Sequence, residues 1–538
     1  MRKMNRRSLL KTAACAGIAA LGAPRRAFAA DAEVEVSPSS AGAEISPHVY
    51  GHFIEHLGGV IYDGIWVGQD SKIANVGGIR KQFADDMKQL GAPNLRWPGG
   101  CFADSYHWRD GIGPAAKRPR TATYWGRQLP PALNGAEPNW FGLHEFMRLC
   151  RLTGAAPYLA ANLASGSPQE FHDWITYCNA PAGSVSLADE RAANGDREPF
   201  NVQYWGIGNE VWGCGGNINP GDYMSMYRLF ANQMPPYGQP YLVACGPRGH
   251  SPASDVGWTT ALYESMQGGR GRARLSGLSM HFYTDFRPTS VSSAESTPQQ
   301  WYAVLKEGLR IETAILDNWA VMAKYDSSHR TRFVIDEWGV WYSRSPRIAP
   351  GFNLAQVVTL RDAVHTAMHF DIFNRHADKV FMANVAQTIN CLHSLFMAHE
   401  DRYVRTPVYH VFDMYKPHMG AKLAPAKIQA ADLNVAVLNG QATLPGLSAS
   451  ASIRNSQLTV TLTNPSVEAS VTVRVRVAGS MRPSEGRGTV LTHSAMNAAN
   501  TFDKPDEVKP APISVIISGD TATVTLPKQS VAALQLRL

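Results

Sequence analysis

The chain has 538 residues, of which 44% are hydrophobic and 18% charged, as expected for a globular protein with a sizeable core. Because one compact domain rarely exceeds ~300 residues unless it is a barrel, this length predicts two domains. The formal net charge of +7 comes from seven Lys and Arg residues before Asp31; the other 44 of the 51 basic residues balance 44 acidic ones. This neutral remainder gives no electrostatic reason to expect nucleic acid or an anionic membrane as a partner.

Residues 1–29 have the features of an export signal. A basic start precedes an apolar stretch at about residues 12–23, and Ala27-Phe-Ala29 offers small residues for cleavage. Arg6-Arg-Ser-Leu-Leu-Lys11 resembles the bacterial twin-arginine signal more than a general secretory signal. The apolar stretch is shorter than the ~20 residues that span a membrane. The sequence therefore predicts a bacterial protein exported to the periplasm or the medium, with no membrane contact in its mature form.

From about His48 to Asn390, short apolar runs alternate with amphipathic helical patterns. The predicted strands are 49–54, 94–97, 157–162, 202–208, 241–245, 278–282, 332–335 and 379–385. Helical patterns between them include 78–90, 141–153, 169–178, 223–234, 299–323 and 354–373. Eight strand and helix units in one run favour a (β/α)8 TIM barrel over a doubly wound sheet. Active sites of such barrels lie at the carboxyl ends of the strands.

After about Thr406 the sequence alternates apolar and polar residues with period two, as in 458–464, 469–477 and 521–526. No helical pattern is found there, which predicts a C-terminal all-β sandwich. Glu33-Val-Glu-Val36 alternates in the same way and is expected to join that sandwich. The predicted organisation is a signal peptide at 1–29, an N-terminal strand segment at 30–47, the barrel at 48–400 and the sandwich at 401–538.

Two carboxylates stand at the ends of predicted strands: Glu210 closes Tyr204-Trp-Gly-Ile-Gly-Asn-Glu210 and Glu337 closes Phe333-Val-Ile-Asp-Glu337. Either one alone is more often a salt-bridged surface residue. In the predicted barrel they end the fourth and seventh strands and so share one mouth. Glycoside hydrolysis uses such a pair: one carboxyl protonates the departing oxygen, and the other attacks the sugar or activates water. The neighbouring Asp336 must be either exposed or paired with a cation.

Six cysteines follow the leader, with no Cys-x-x-Cys pair among them. Their scattered spacing fits neither a disulfide scaffold nor a zinc ribbon, so most are expected to be buried apolar residues.

Eight segments in this order resemble glycoside hydrolase family 51, the retaining α-L-arabinofuranosidases with a barrel and a C-terminal β-sandwich. The segments are Gly51-His-Phe-Ile-Glu55, Asn94-Leu-Arg-Trp-Pro-Gly-Gly100, Asp110-Gly-Ile-Gly-Pro114, Gly208-Asn-Glu210, His281-Phe-Tyr283, Asp336-Glu-Trp-Gly-Val-Trp-Tyr342, Ala386-Gln-Thr-Ile-Asn390 and Pro407-Val-Tyr-His-Val-Phe412. The resemblance covers nearly the whole chain after the leader. It implies an exo-acting enzyme that releases terminal α-L-arabinofuranosyl groups from plant polysaccharides and oligosaccharides, without a cofactor or a metal.

The resemblance also implies roles for individual residues. Glu210 becomes the general acid and base, and Glu337 the nucleophile. The implied substrate-binding residues are Glu55, Arg96, Cys101, Asn209, Tyr283, Trp341 and Gln387. For Arg96 the alternative is an internal ion pair with Glu337, which is compatible with catalysis; for Tyr283 and Trp341 it is packing. Cys101 stands where the family commonly has Asn: the exchange matters little if the backbone N–H contacts the sugar, and it alters substrate preference if the side chain does. Gly339 stands where the resemblance implies a larger residue.

Other readings remain. His52-Phe-Ile-Glu-His56 matches the motif of inverted zinc peptidases, although it reads as a strand entering a loop rather than the helix that zinc binding needs. A sugar-binding protein without catalysis has no need for two acids across one mouth. A β-xylosidase or an endoglucanase on the same scaffold is a further alternative. The sequence leaves a homo-oligomer open.

Overall fold

The computed structural model describes residues 30–126, 129–249, 252–267, 274–287, 289, 291–343 and 354–538, so the predicted signal peptide lies outside the described residues. In chain order the strands are β1 (Ala32–Val36), β2 (Gly51–Phe53), β3 (Asn75–Val76), β4 (Ile79–Arg80), β5 (Asn94–Trp97), β6 (Ala156–Ala161), β7 (Tyr204–Ile207), β8 (Tyr241–Ala244), β9 (Gly277–Phe286), β10 (Arg332–Tyr342), β11 (Val380–Val385), β12 (Phe396–His399), β13 (Arg402–Arg405), β14 (Lys422–Leu423), β15 (Ala426–Ala430), β16 (Leu433–Val437), β17 (Gly440–Leu444), β18 (Ser448–Arg454), β19 (Gln457–Asn464), β20 (Val471–Val477), β21 (Glu485–Leu491), β22 (Ala511–Ile513), β23 (Ile516–Ser518), β24 (Thr521–Leu526) and β25 (Ser530–Arg537). The α-helices are α1 (Lys81–Leu90), α2 (Leu143–Thr153), α3 (Pro168–Asn179), α4 (Ser186–Ala193), α5 (Pro220–Asn232), α6 (Pro252–Gln267), α7 (Pro298–Tyr325), α8 (Leu360–Arg375) and α9 (Pro407–Tyr415). Among the described helices, none has the length and apolar character needed to cross a bilayer.

Eight strands close into a parallel barrel in the order β2-β5-β6-β7-β8-β9-β10-β11, and β11 pairs with β2. Most of the side chains on these strands are buried, because helices cover the outer face of the barrel. The observed strands lie close to the predicted ones, except that β9 and β10 extend further toward their carboxyl ends. The predicted (β/α)8 barrel is confirmed.

Helices α3, α5 and α7 begin in the same way, with a proline in the first turn after a capping side chain. Ser167, Asn219 and Thr297 each accept a hydrogen bond from the backbone N–H three residues further on. Helices α4, α6 and α9 fall outside the predicted elements. α9 contradicts the expectation that no helix follows Thr406. Its nine residues are mostly apolar, so the sequence lacks the alternation of apolar and polar faces by which an amphipathic helix is recognised.

The C-terminal strands form two packed sheets, one in the order β15-β1-β20-β24-β23 and one in the order β14-β18-β19-β25-β21-β22. Their apolar side chains make a separate core, because alternation places every second residue between the sheets. In β20, Val473 and Val475 are buried, whereas Arg474 and Arg476 face outward and pair with Glu33 of β1. The predicted all-β sandwich is confirmed. The exact domain bounds given above stay predictions.

A β-bulge in β10 sets the direction of two acidic side chains. The register of β10 against β9 shifts between Ile335 and Glu337, so Asp336 is the extra residue. Consecutive side chains of a regular strand point to opposite faces, whereas Asp336 and Glu337 both approach Arg96 inside the barrel. Because β10 continues to Tyr342, Glu337 lies within the seventh barrel strand rather than at its predicted end.

Candidate active site

Glu210 lies just beyond β7, in a turn at the carboxyl ends of the barrel strands. Its backbone is in the left-handed region, with φ of 39°. Its carbonyl accepts hydrogen bonds from the N–H groups of Gly213 and Gly215, which close the turn. Its Oε1 lies 3.0 Å from Nδ1 of His281. The turn presents the carboxyl to a cavity, and 20% of the side chain is exposed.

Glu337 is surrounded by donors from other barrel strands. Nη1 of Arg96 donates to Oε1 at 2.7 Å, and the Tyr283 hydroxyl donates to Oε2 at 2.8 Å. Nδ1 of His281 lies 3.6 Å from Oε2. Burial alone would raise the pKa of this carboxyl, but the positive charges of His281 and Arg96 outweigh burial and lower the pKa. Glu337 is therefore ionised near neutral pH.

His281 connects the two carboxylates, although it is not among the predicted site residues. Its Nδ1 contacts both Glu210 and Glu337, and one oxygen atom of each carboxylate lies within 4.8 Å of the other. Burial lowers the pKa of His281, but the charge of Glu337 and the hydrogen bond to Glu210 raise it above its usual value. A signal for this residue exists in the sequence, because His281 opens the segment His281-Phe-Tyr283 at a predicted strand end.

Arg96 ties the acids to the rest of the barrel interior. Its Nη2 donates to Oδ1 of Asn209 at 2.7 Å, and its Nε lies 3.8 Å from Oδ1 of Asp336. Asp336 also accepts a hydrogen bond from the Tyr158 hydroxyl at 3.0 Å. Burial opposes the charge of Arg96, but the carboxylates of Asp336 and Glu337 raise its pKa above the ordinary value. Asp336 thus has a cation beside it, one of the two environments expected from the sequence.

Glu55 forms another wall of the cavity. Its Oε1 accepts hydrogen bonds from the backbone N–H groups of Gly100 and Phe102, both at 3.0 Å, and from Nε1 of Trp125 at 2.7 Å. Its Oε2 accepts from Nε2 of Gln387 at 3.1 Å. Burial, and then the charge of a neighbouring carboxylate, raise the pKa of Glu55 to about 7 despite these donors. Because Gly100 and Phe102 belong to the loop that follows β5, their hydrogen bonds to Glu55 hold that loop in place.

The cavity between these side chains has a volume of about 200 Å³. Seven of the nine predicted site residues line it, whereas Arg96 and Asn209 lie behind its wall. At the rim, the ring of Trp341 lies 5.2 Å from that of Tyr283 and 4.0 Å from the Arg287 guanidinium. The other aromatic and basic rim residues are Tyr124, Trp125, Trp212 and Arg248.

Cys101 and Cys214 form a disulfide at the edge of this cavity. The pair corrects the expectation drawn from the cysteine spacing, because 113 residues separate the two and only the closed barrel brings their loops together. Cys101 lies in the loop after β5, and Cys214 lies in the turn of Glu210. The prediction that most of the cysteines are buried holds for Cys150, Cys178, Cys245 and Cys391.

The segment His52-Phe-Ile-Glu-His56 lacks the geometry of a zinc site. His52 lies on β2, where its ring stacks on an aromatic ring of α9. His56 uses both ring nitrogens inside the protein: Nδ1 lies 2.9 Å from Glu137, and Nε2 accepts a hydrogen bond from Trp97 at 3.1 Å. The two histidines do not converge, so the zinc peptidase alternative is not favoured.

Two family models match the chain. The Alpha-L-arabinofuranosidase 1 domain matches residues 86–283, and the Alpha-L-arabinofuranosidase C-terminal domain matches residues 336–530. The first match includes Glu210 and the second includes Glu337.

A curated relative, the intracellular exo-alpha-L-arabinofuranosidase of Bacteroides ovatus, is 35% identical over 92% of this chain and 94% of its own length. The name places that relative inside the cell and points against export. The predicted periplasmic or extracellular location is therefore wrong, and the predicted twin-arginine signal lies at residues 1–29, outside the described part of the chain.

Solved structures agree with these matches. The family 51 arabinofuranosidase of Xanthomonas axonopodis pv. citri has a TM-score of 0.87 and 36% identity, covering 95% of this chain and 100% of that chain. The alpha-L-arabinofuranosidase of Thermotoga maritima, solved as an arabinose complex, has a TM-score of 0.79 and 28% identity, covering 94% and 100%. The alternatives of a β-xylosidase, an endoglucanase or a non-catalytic sugar-binding protein are not favoured. The chain belongs to the α-L-arabinofuranosidases of glycoside hydrolase family 51, and it is an exo-acting, retaining glycosidase that releases terminal α-L-arabinofuranosyl groups.

Proposed function

We propose that Glu210 is the general acid and base of this glycosidase and that Glu337 is its nucleophile. The observation that carries the proposal is the contact of both carboxylates with His281, with one oxygen atom of each carboxylate within 4.8 Å of the other. Retaining glycosidases hold their carboxyl groups about 5–5.5 Å apart, whereas inverting enzymes leave about 6.5–9.5 Å for a water molecule. The short separation supports direct attack of a carboxylate on the sugar.

The different surroundings of the two acids support this division of roles. Glu337 is buried, and its contacts with Arg96, Tyr283 and His281 favour the ionised form that a nucleophile needs. Glu210 is partly exposed at the cavity, where it can exchange a proton with water between the two halves of the reaction. Two carboxyl groups with unlike environments are the usual basis for unlike roles.

The reaction proceeds in two displacements. In the first, Glu210 gives its proton to the glycosidic oxygen as the bond to the anomeric carbon breaks, and a Glu337 oxygen bonds to that carbon. In the second, Glu210 takes a proton from water, the water oxygen attacks the anomeric carbon, and the ester to Glu337 breaks. Arabinose leaves with its original anomeric configuration, and both carboxyl groups return to their starting states.

The cavity supports recognition of a single terminal sugar. Its volume of about 200 Å³ is below the range of about 300–1,000 Å³ typical of drug-sized ligands, in keeping with one pentose. We assign Glu55, Tyr283 and Gln387 to its polar wall and Trp341 to its apolar wall, with Cys101 at the edge. Arg96 acts from behind the wall, since its Nη1 donates to Glu337 and its Nη2 to Asn209.

The natural substrates are arabinose-containing polysaccharides of plants and their oligosaccharides. The support is that the half-buried rings of Trp125, Trp212 and Trp341 line the cavity. Aromatic rings stack on the apolar faces of sugars, so such a rim suits the glycan chain that carries the arabinosyl branch. The aromatic residues therefore support a branched glycan, rather than a small arabinofuranoside, as the natural substrate.

Hydrolysis of nitrophenyl glycosides tests the assignment. Wild type is expected to hydrolyse the α-L-arabinofuranoside well above the β-xyloside, β-glucoside and α-arabinopyranoside, and Glu337→Ala is expected to lose all of this activity. Glu307→Ala, which changes a half-exposed acid on α7, is the matched control and should retain wild-type rates. Retained activity in a folded Glu337→Ala protein would refute the nucleophile assignment. The rates of arabinose release from arabinan and from arabinoxylan then show which polysaccharide is the better substrate.

Two further predictions concern the whole chain. The barrel at 48–400 and the sandwich at 401–538, with residues 30–47 attached to the sandwich, are the proposed domains, and limited proteolysis tests their bounds. The second concerns the oligomeric state: the sequence leaves a homo-oligomer open, and light scattering of the purified protein determines it.

A further inference from the structure

The Cys101–Cys214 disulfide joins two loops at the cavity: the loop after β5, which carries Cys101, and the turn after β7, which carries Glu210 and Cys214. Cys214 lies four residues after Glu210, in the turn closed by the Glu210 carbonyl. Cys101 directly follows Gly100, whose backbone N–H donates to Oε1 of the buried Glu55 at 3.0 Å. The disulfide therefore fastens the turn of Glu210 to a loop that a buried carboxylate already holds.

The same disulfide touches the carboxyl of Glu210. The sulfur atoms of Cys214 and Cys101 lie 3.5 Å and 3.9 Å from Oε2. A sulfur in a disulfide carries no hydrogen, so neither contact is a hydrogen bond from sulfur. Among the described residues no N–H or O–H group donates to Oε2, whereas Oε1 lies 3.0 Å from Nδ1 of His281. The amide of Asn209 also donates to the Cys214 sulfur, at 3.7 Å.

We propose that the Cys101–Cys214 disulfide is a positioning element for Glu210, and that its reduction to two thiols selectively weakens proton donation to the leaving group. The proposal rests on the assignment of Glu210 as the general acid and base. The intact disulfide holds the Glu210 turn and leaves Oε2 without a competing donor. In the described part of the chain neither sulfur directly contacts Glu337, whose contacts come from Arg96, Tyr283 and His281 on barrel strands.

The redox step is a thiol–disulfide exchange with a dithiol, either a small molecule or a protein of the thioredoxin class. The dithiol supplies two electrons and two protons, the bond between the sulfur atoms breaks, two S–H groups form, and the dithiol becomes a disulfide. Both cysteines are only partly buried and line the cavity, so a dithiol has access. Each new S–H is a weak donor beside Oε2 and favours the carboxylate over the acid that must donate the proton.

The test compares oxidised enzyme with dithiothreitol-reduced enzyme on two arabinofuranosides, a dinitrophenyl one and a methyl one. The dinitrophenolate leaves without a proton, whereas methoxide needs the acid, which contributes about 10²–10⁴-fold in such reactions. Because kcat/KM covers only the steps through leaving-group departure, we expect reduction to lower kcat/KM about tenfold on the methyl substrate and less than twofold on the dinitrophenyl one. The alkaline limb of the pH profile for the methyl substrate should also move to lower pH.

Variants separate the tether from the new thiols. Cys101→Ala with Cys214→Ala removes the tether without adding S–H groups, and should lower kcat/KM on the methyl substrate while dithiothreitol has no further effect. A response of this double variant to dithiothreitol would assign the effect to other cysteines and overturn the proposal. Equal losses on both substrates, or a lower unfolding temperature with unchanged rates, would show a purely structural disulfide and also overturn it. Glu210→Ala serves as the reference. If this variant loses activity equally on both substrates, Glu210 is not the general acid, and that result refutes the proposed function separately from the role of the disulfide.

Discussion

Arg96 and Glu337 form a buried ion pair across the barrel, with Nη1 of Arg96 2.7 Å from Oε1 of Glu337. The two residues come from the second and seventh barrel strands. A Cβ atom at residue 100 would lie 2.5 Å from the same Oε1, so glycine is needed there for the close approach. Inside a protein, removal of one partner of such a pair leaves an uncompensated charge, which costs about 3–5 kcal/mol.

Replacing Arg96 is expected to shift the acid limb of the pH profile. In Arg96→Met the carboxylate of Glu337 loses a cation that lowers its pKa, so the acid limb of kcat/KM should move to higher pH. We also expect a drop of about 100-fold at neutral pH, corresponding to roughly 3 kcal/mol. Arg96→Lys keeps a positive charge and should shift the limb less. An unchanged acid limb in folded Arg96→Met would contradict the role of this ion pair.

His281→Asn tests the charge of the imidazole apart from its hydrogen bond. The Asn amide can donate from near the position of Nδ1, so contact with Glu210 is preserved while the positive charge is lost. Because that charge is the largest influence that lowers the pKa of Glu337, the acid limb should again move to higher pH. His281→Ala removes both effects and should lower kcat/KM further. If both variants keep the wild-type pH profile, His281 does not couple the two carboxylates.

Glu210→Ala should separate good from poor leaving groups. With a methyl or xylan-type leaving group, loss of the general acid is expected to lower kcat/KM by about 10²–10⁴-fold. With dinitrophenolate, which departs as a stable anion, the loss should be much smaller. A series of aryl arabinofuranosides of increasing leaving-group pKa gives a steeper dependence for the variant than for wild type. Parallel dependences would remove Glu210 from the acid role.

Gly339→Ala is expected to destabilise the protein. Gly339 has φ of 150°, and a Cβ there would lie 2.6 Å from Cβ of His393. Strain and overpacking together predict a loss of about 2–4 kcal/mol in the free energy of unfolding. Gly257→Ala is the matched control: this helical glycine has open space around it, so alanine should stabilise α6 by about 0.5–1 kcal/mol. Urea unfolding of both variants measures the change in the free energy of unfolding, which should fall in Gly339→Ala and rise in Gly257→Ala. Equal changes in the two variants would contradict the steric explanation.

Asp371 makes the contact between the barrel and the sandwich depend on pH. It accepts hydrogen bonds from Ser448 at 2.7 Å, Tyr415 at 2.9 Å and Thr461 at 3.2 Å. Burial nevertheless raises its pKa to about 6. A carboxyl with a raised folded pKa stabilises the fold most below its unfolded pKa of about 3.9, and that contribution is lost as pH rises through about 6.

The predicted loss for Asp371 between pH 4 and pH 7 is on the order of 2–3 kcal/mol in the free energy of unfolding. Asp371→Asn cannot ionise, so the difference in unfolding free energy between variant and wild type should grow in favour of the variant over this range. Denaturant unfolding at a series of pH values measures the difference. A difference that stays constant with pH would show that Asp371 has an ordinary pKa.

The barrel was predictable because its strands are short apolar runs, most of them followed by a helical pattern, and the sandwich because its strands alternate apolar and polar residues. Glu210 and Glu337 were predictable as a pair because both follow such runs. Local patterns fail where the structure depends on distant segments. The Cys101–Cys214 disulfide exists only because two barrel loops meet. The bulge at Asp336 is defined by pairing with β9, so the pattern alone placed Glu337 at the end of a strand that in fact continues.

His281 and α9 show two other limits. A histidine at a strand end is common in packed cores, so its position between two acids appears only when three barrel strands are assembled. α9 is short and largely apolar, and its burial rather than a polar face stabilises the helix. In both cases tertiary contacts decide a feature that the local sequence leaves ambiguous.

The most direct test of the double displacement is identification of the residue that forms the bond to arabinose. Glu210→Ala incubated with dinitrophenyl α-L-arabinofuranoside should form the intermediate quickly and hydrolyse it slowly, because the base for the second step is missing. Mass spectrometry of the digested protein should then find one arabinosyl group on Glu337. A label on another residue, or no label together with a product of inverted anomeric configuration, would contradict the proposed mechanism.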